Sequence, residues 1–276
     1  MNQNWIVENL NNAFATWNDK LAELWALVAT SPENFKGGAV WAVMQNIHGT
    51  LLAIGYALVV LFFAMSLFKN TANFHELKRP EAALHYLIRF VAAKTAVGYG
   101  MEIMLKVFEV CNGIVSEVAT GMGGISQAMV SLPGEIQTAI ENVGFLASIP
   151  LWLVTILGSL FITVLSFVMI LTVYGRFFRL YMYTALAPIP LATFAGESTQ
   201  SVGVSFLKTY VGVCLEGAVI VLACIIYAGF VTTPNVPSGE ATSVVWSYLG
   251  ETIFNMLVLV GLIKGSDRLI HEMLGL

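Results

Sequence analysis

Two kinds of apolar pattern alternate along this chain. Over residues 4–30, Ile6, Leu10, Phe14, Trp17, Leu21, Trp25 and Val28 recur at steps of three and four, with asparagines, Asp19, Lys20 and Glu23 on the other face. That period predicts one amphipathic helix. Ser31-Pro32 ends it, because the residue before proline avoids helical backbone. Such a helix either packs on the rest of the protein or lies in a membrane interface, anchored by its tryptophans. From Gly37 onward the pattern becomes apolar on all sides. Leu51–Phe68 is 18 residues without a charge and predicts a span starting near Ala39, with Gln45, Asn46 and His48 in its first turns. Pro80 predicts the start of another helix, running to about Val118. Its stretch 90–112 has Glu102, Lys106 and Glu109 along one face, with Glu102 before Lys106 in the favourable i,i+4 order. That stretch either crosses with this face on a bundle interior or aqueous path, or lies flat on the surface, and topology favours the crossing. Gly113–Pro150 reads as a loop with a short amphipathic piece at Ile136–Ile140. Leu151–Gly175 is 25 uncharged residues, enough at about 1.5 Å per residue to cross a hydrocarbon core of about 30 Å. Leu180–Ala195, after Arg176 and Arg179, is 16 residues broken by Pro188 and Pro190, too short for an ordinary crossing. Thr209–Thr233 and Ser243–Ile263 predict two further spans, interrupted by Glu216 and Glu251.

Composition sharpens this picture. Apolar residues make up 57% of the chain and charged residues 11%, against about 25% charged in soluble domains, and mean hydropathy is +0.78. The chain therefore falls in the membrane class. Its net charge of −4 gives no basic footprint for soluble nucleic-acid binding. The N-terminus has no basic region ahead of its first apolar run, so insertion is expected to rely on internal spans.

The thirteen Lys and Arg residues assign the sides. Two lie early (Lys20, Lys36), five cluster in 69–94, Lys106 is within a span, Arg176, Arg179 and Lys208 follow, and Lys264 and Arg268 close the chain. Residues 113–150 and 234–242 have none. Because Lys and Arg mark the cytoplasmic side, one arrangement fits. The N-terminus is outside, span one runs inward, 90–112 runs outward and 151–175 inward; 180–195 dips in and returns, 209–233 runs outward and 243–263 inward. The expected fold class is an all-α polytopic membrane protein with about five transmembrane helices, a Pro-broken re-entrant hairpin and an N-terminal amphipathic helix. Its expected parts are 1–36 on the outer side, a helical pair over 37–118 with a cytoplasmic basic loop at 69–94, an outer loop at 113–150, and a membrane core over 151–276 with a cytoplasmic tail.

Candidate chemistry is sparse. HExxH, GxSxG and a Walker A motif are all missing, and Gly121-Met122-Gly123-Gly124 has neither the lysine nor the preceding strand of a phosphate loop. Cys111, Cys214 and Cys224 sit in or beside apolar runs and read as small hydrophobes. His48, His75, His85 and His271 are scattered. No catalytic activity, cofactor or metal is expected. An ionisable group at a span centre costs at least about 2.5–3.5 kcal/mol, so Glu102, Lys106, Glu216 and Glu251 are candidates for a channel path or for polar contacts at helix or subunit seams. Arg176 and Arg179 mark sidedness and are candidates for polyanion contact at a cytoplasmic mouth. Pro188 and Pro190 shape the re-entrant segment, whose irregular backbone must be buried in protein or line water.

The run Arg176-Phe-Phe-Arg179-Leu-Tyr-Met-Tyr-Thr-Ala-Leu-Ala-Pro188-Ile-Pro190-Leu-Ala, followed by Phe206-Leu-Lys-Thr-Tyr210 and a Gly/Ala-rich span, resembles the TrbL-like polytopic inner-membrane subunits of conjugative type IV secretion systems. The resemblance covers roughly 85–260. It implies a non-enzymatic channel or scaffold subunit of the plasma (inner) membrane, forming a homo-oligomer with other secretion subunits and ATPases and contacting DNA in transit. The outer loop, here 113–150, is the part it links to substrate passage. This chain is short for the family and its loop small. An ion-coupled secondary transporter using Glu102, Lys106 and Glu216 as a relay is the alternative; the single broken segment and the missing inverted repeat weigh against it. A third reading, an intramembrane protease, lacks a credible Ser/His or Asp pair.

Overall fold

The computed structural model describes residues 4–71, 80–120, 129–231 and 241–275, and every regular element among them is helical. In chain order these are α1 (Asn4–Val28), a 3₁₀ turn (Phe35–Gly38), α2 (Ala39–Thr71), α3 (Pro80–Gly98), α4 (Gly100–Thr120), α5 (Gly134–Glu141), α6 (Phe145–Leu186), α7 (Pro188–Ala192), a second 3₁₀ turn (Thr193–Ala195), α8 (Gln200–Val231) and α9 (Ala241–Leu274). His75, Lys78, Arg79, Gly121–Gly124 and the turn at 234–240 lie outside the described residues. Among the described residues, four helices are long and apolar enough to cross a membrane: Phe35–Lys69, Ile149–Leu186, Gln200–Gly229 and Ser243–Leu274. The chain is an all-α polytopic membrane protein.

The helices group into two compact units. The first contains α1, the end of α4, α5, α6 up to Gly175, and α8 and α9 from Gly217 to Ser266. Here α1 buries Ile6, Leu10, Phe14, Trp17, Leu21, Leu24 and Val28. Of the two placements open to an amphipathic helix, this is packing on the protein itself. Leu24, not Trp25, continues the buried stripe, because a 3.6-residue period drifts against fixed steps of four. The polar face is used as well: Asn9 Nδ2 donates to Ser159 Oγ at 3.0 Å, and the Tyr174 hydroxyl donates to Glu23 Oε1 at 2.8 Å.

The loop expected over 113–150 is largely helical among its described residues. α4 continues past Gly113 to Thr120, α5 takes 134–141, and α6 begins at Phe145 and includes Pro150 near its start. Residues 129–133 are pinned down. Asn18 donates to the Val130 carbonyl (2.8 Å) and accepts from the Val130 amide (2.9 Å), and Tyr248 donates to the Ser131 carbonyl (3.2 Å).

The second unit contains residues 30–114, 176–216 and 267–276. Its entry is the 3₁₀ turn, where Lys36, Gly37 and Gly38 all have positive φ. A Cβ on Gly38 would stand 2.9 Å from the Glu33 carbonyl oxygen, so glycine is required there on two counts. Phe35 stacks on Phe177 at 4.0 Å, and the Tyr181 hydroxyl donates to the Pro32 carbonyl at 2.9 Å. From this entry α2 runs antiparallel to α3: Phe63 meets Phe90, and Tyr56 reaches the place a Gly98 Cβ would fill.

Two expectations need correction here. The single helix expected from Pro80 to Val118 is divided at Tyr99 between two glycines, although the Tyr99 amide still bonds Thr95 (2.9 Å) and the Ile103 amide still bonds Tyr99 (2.9 Å). With Lys94, Glu102, Lys106 and Glu109 along it, 90–112 is not among the four candidate spans. The Pro-broken segment also takes a different path. α6 does not stop at Arg176; it runs unbroken to Leu186, and the break falls at Ala187-Pro188. Beyond it the chain does not turn back within 180–195 but advances along α2, with Thr184 beside His48, Pro188 beside Gly55 and Gly196 beside Phe62. The reversal comes at 196–199, and α8 makes the return, with Phe206 and Tyr210 against Tyr183 and Val213 against Arg176.

Candidate functional site

Within the second unit, three helices meet at a cluster of charges whose inner members, Arg176 and Glu216, are buried and whose outer members, Arg179 and Asp267, reach solvent. α6 supplies Arg176 and Arg179, one helical turn apart and therefore on one face. α8 supplies Glu216 and α9 supplies Asp267. Arg176 is 0% exposed. Its Nε donates to the Val213 carbonyl at 3.1 Å and its Nη2 to the Cys214 carbonyl at 2.9 Å, and its guanidinium carbon lies 5.8 Å from the Phe108 ring centroid. Arg179 Nη2 donates to both oxygens of Glu216, at 2.8 and 2.7 Å, while Nη1 pairs with Asp267. Glu216 is 1% exposed and the Arg179 side chain 27%. His271 Nε2 lies 3.6 Å from the same Asp267 oxygen. Two guanidiniums and two carboxylates sum to zero, and each buried charge has hydrogen-bonding partners, the condition under which charge is tolerated away from water.

A second polar arrangement repairs the break at Pro188. In an α-helix the Thr184 carbonyl would accept from the amide of residue 188, but proline has no N–H. His48 Nδ1 stands 2.8 Å from that carbonyl and serves as the missing donor. This assignment makes Nε2 the bare nitrogen of the neutral ring. His48 is buried. After the break the Leu191 amide returns to the Ala187 carbonyl (3.1 Å), and the Thr193 hydroxyl caps Pro190 (2.7 Å). Pro188 is buried and Pro190 half-buried.

The residues singled out in the sequence therefore divide. Arg176, Arg179 and Glu216 come together, and Pro188 joins His48. Glu102 and Lys106 are exposed on α4, opposite its buried face of Met104, Phe108, Cys111 and Val115. Lys106 pairs with Glu109 at 2.6 Å, not with Glu102. Beside this stripe an apolar groove is lined by Ile103, Val107, Val110 and Ile114 with Val211 and Leu215 of α8, and Glu102 and Lys106 stand on its rim. Glu216 instead faces Arg179, so the three do not assemble into an ion relay. Glu251 is exposed on α9 in the first unit. Asp267 and His48 escaped the sequence reading. Asp267 was hidden in a charged tail, whereas His48 had a signal: a carbonyl orphaned four residues before Pro188 needs a donor from elsewhere.

A family model described as TrbL/VirB6 plasmid conjugal transfer like protein matches residues 17–188. Its matched stretch runs from α1 to Pro188 and so takes in both arginines and the break. No curated protein and no solved structure matches the chain.

Proposed function

We propose, for a chain that belongs to the TrbL/VirB6 plasmid conjugal transfer-like family, the role of a non-enzymatic channel or scaffold subunit in the inner membrane, helping DNA across it. The carrying observation is the family match over 17–188, which makes the chain a conjugal type IV secretion component. On this reading the protein acts as a homo-oligomer among other secretion subunits, and separate ATPases supply the energy.

The exposed stripe of Glu102, Lys106 and Glu109 supports the finer reading. Charges at membrane depth cannot face lipid, so they must face protein or water. The antiparallel course of α3 and the start of α4 along α2 supports counting 90–112 as a fifth crossing, sheltered by protein on its buried side. The stripe is then the surface that a neighbouring subunit covers or the path wets, and exposed Glu251 is a further seam candidate. Positive residues still argue for an outer N-terminus and a cytoplasmic C-terminus, but Arg176 and Arg179 no longer count as loop markers, being buried or paired inside α6.

The test is deletion in donor cells. DNA transfer to recipients should be abolished and restored by the gene in trans, with solute uptake unchanged. Purified protein that moves a solute by itself in liposomes would overturn the proposal in favour of a transporter.

A further inference from the structure

Cys111 of α4 and Cys214 of α8 are both buried free thiols, and the helix faces that carry them adjoin. They lie in the second unit, 103 positions apart in sequence. The neighbourhood agrees: the apolar groove that Cys111 lines is closed on its other side by Val211 and Leu215, which flank Cys214 on α8. Arg176 holds the α8 backbone in place by binding the carbonyl of Cys214 itself, and the Tyr210 hydroxyl fixes α8 to α4 one turn earlier through the Met104 carbonyl at 2.9 Å. Cys214 shares one face of α8 with Val211 and Leu215, which meet the Cys111 side of α4 across the groove, and close approach of two thiols without backbone movement is the first requirement for a disulfide. Cys224, the third cysteine, is also buried and belongs to the first unit.

We propose that Cys111 and Cys214 form an oxidisable dithiol, a modification site at which a small apolar disulfide entering by the groove converts the pair to an intramolecular cystine. Cys111, at the groove wall, attacks the oxidant's S–S bond as a thiolate, forming a mixed disulfide and releasing the first thiol. Cys214 then attacks the Cys111 sulfur, forming the protein S–S bond and releasing the second thiol. The two cysteines lose two electrons and two protons, and the oxidant gains them as two thiols. The product staples α4 to α8 beside the Arg176 anchor, and a reducing dithiol reverses it.

The experiment uses the full chain in detergent with dithiodipyridine as oxidant, followed by maleimide-polymer counting after denaturation and by peptide mass mapping. The expected result is a Cys111–Cys214 cystine peptide two hydrogens lighter than its reduced parts, within one chain, reversed by dithiothreitol. It should persist in Cys224→Ala and vanish in Cys111→Ala. Oxidation of the unfolded chain should spread over all three pairings, whereas the folded protein should give this one. If folded wild-type protein yields only mixed adducts, a disulfide to Cys224, or a link between two chains, the assignment is wrong. Mapping the wild type needs no variant to fold.

Discussion

Glu216 is an acid on a span helix, and alone it would be an expensive residue. Its cost is offset because Arg179 reaches both of its oxygens, and Arg179 is in turn shared with Asp267. The seam between subunits considered for Glu216 is thus a contact inside one chain. Glu216→Ala should destabilise the protein by about 3–5 kcal/mol, because it strips a partner from a charge held mostly out of water. The measurement is the thermal melt of purified protein in detergent. An Arg179→Met/Glu216→Leu double variant should recover most of the loss, since replacing a buried pair by apolar side chains is often neutral. A melt unchanged by Glu216→Ala would refute the ion pair. His48 makes a different prediction. His48→Ala leaves the Thr184 carbonyl buried without its donor and should cost about 1–3 kcal/mol. In a Pro188→Ala background the restored amide can bond Thr184, so the same change should cost far less. A thermodynamic cycle over the four proteins measures that coupling; additive effects would mean that His48 is not the substitute donor.

At the scale of elements, the break in α6–α7 depends on how closely α2 approaches it. A Cβ on Gly55 would sit 2.9 Å from Pro188 Cβ and 3.0 Å from both the Pro188 carbonyl oxygen and Val97 Cγ1. Two of these atoms belong to a rigid ring and a backbone, which cannot swing aside. Gly55→Ala should therefore cost about 1–3 kcal/mol as an overpacking change. Gly113, in the exposed body of α4, has nothing within 4 Å of such a Cβ. Gly113→Ala should be neutral or stabilise by up to about 1 kcal/mol through helix propensity. Comparing the two melts checks both. The helices themselves were largely legible: the α1 stripe, the α2 start at Ala39, the α3 start at Pro80 and the break at Pro188 all follow from local period and proline chemistry. The extension of α6 through Arg176 and Arg179 was not. Two arginines after an apolar run look like the end of a span, and only their partners on α8 and α9 allow the helix to continue with them buried.

For the whole molecule, the direction of each helix in the second unit is internally consistent: α2 and 176–195 run one way, and α3, the start of α4 and the start of α8 run the other. Placed against the positive-residue bias, this predicts that a reporter fused after Gly134 is active outside the cytoplasm and one fused after Gly196 inside. Activity outside for the Gly196 fusion would reverse the orientation of the return made by α8.

The sequence by itself determined that the chain is helical, that it belongs in a membrane and that its motif is the conjugal-transfer one. Hydrophobic period, transfer cost and proline's missing N–H are properties of a segment and need no partner to be read. The tertiary structure alone decided which charges meet, where the chain reverses and which helix faces bring two cysteines to one seam. Those outcomes join residues 37 to 136 positions apart, and the energy of such a pair depends on the burial and geometry that packing creates, which no local pattern encodes.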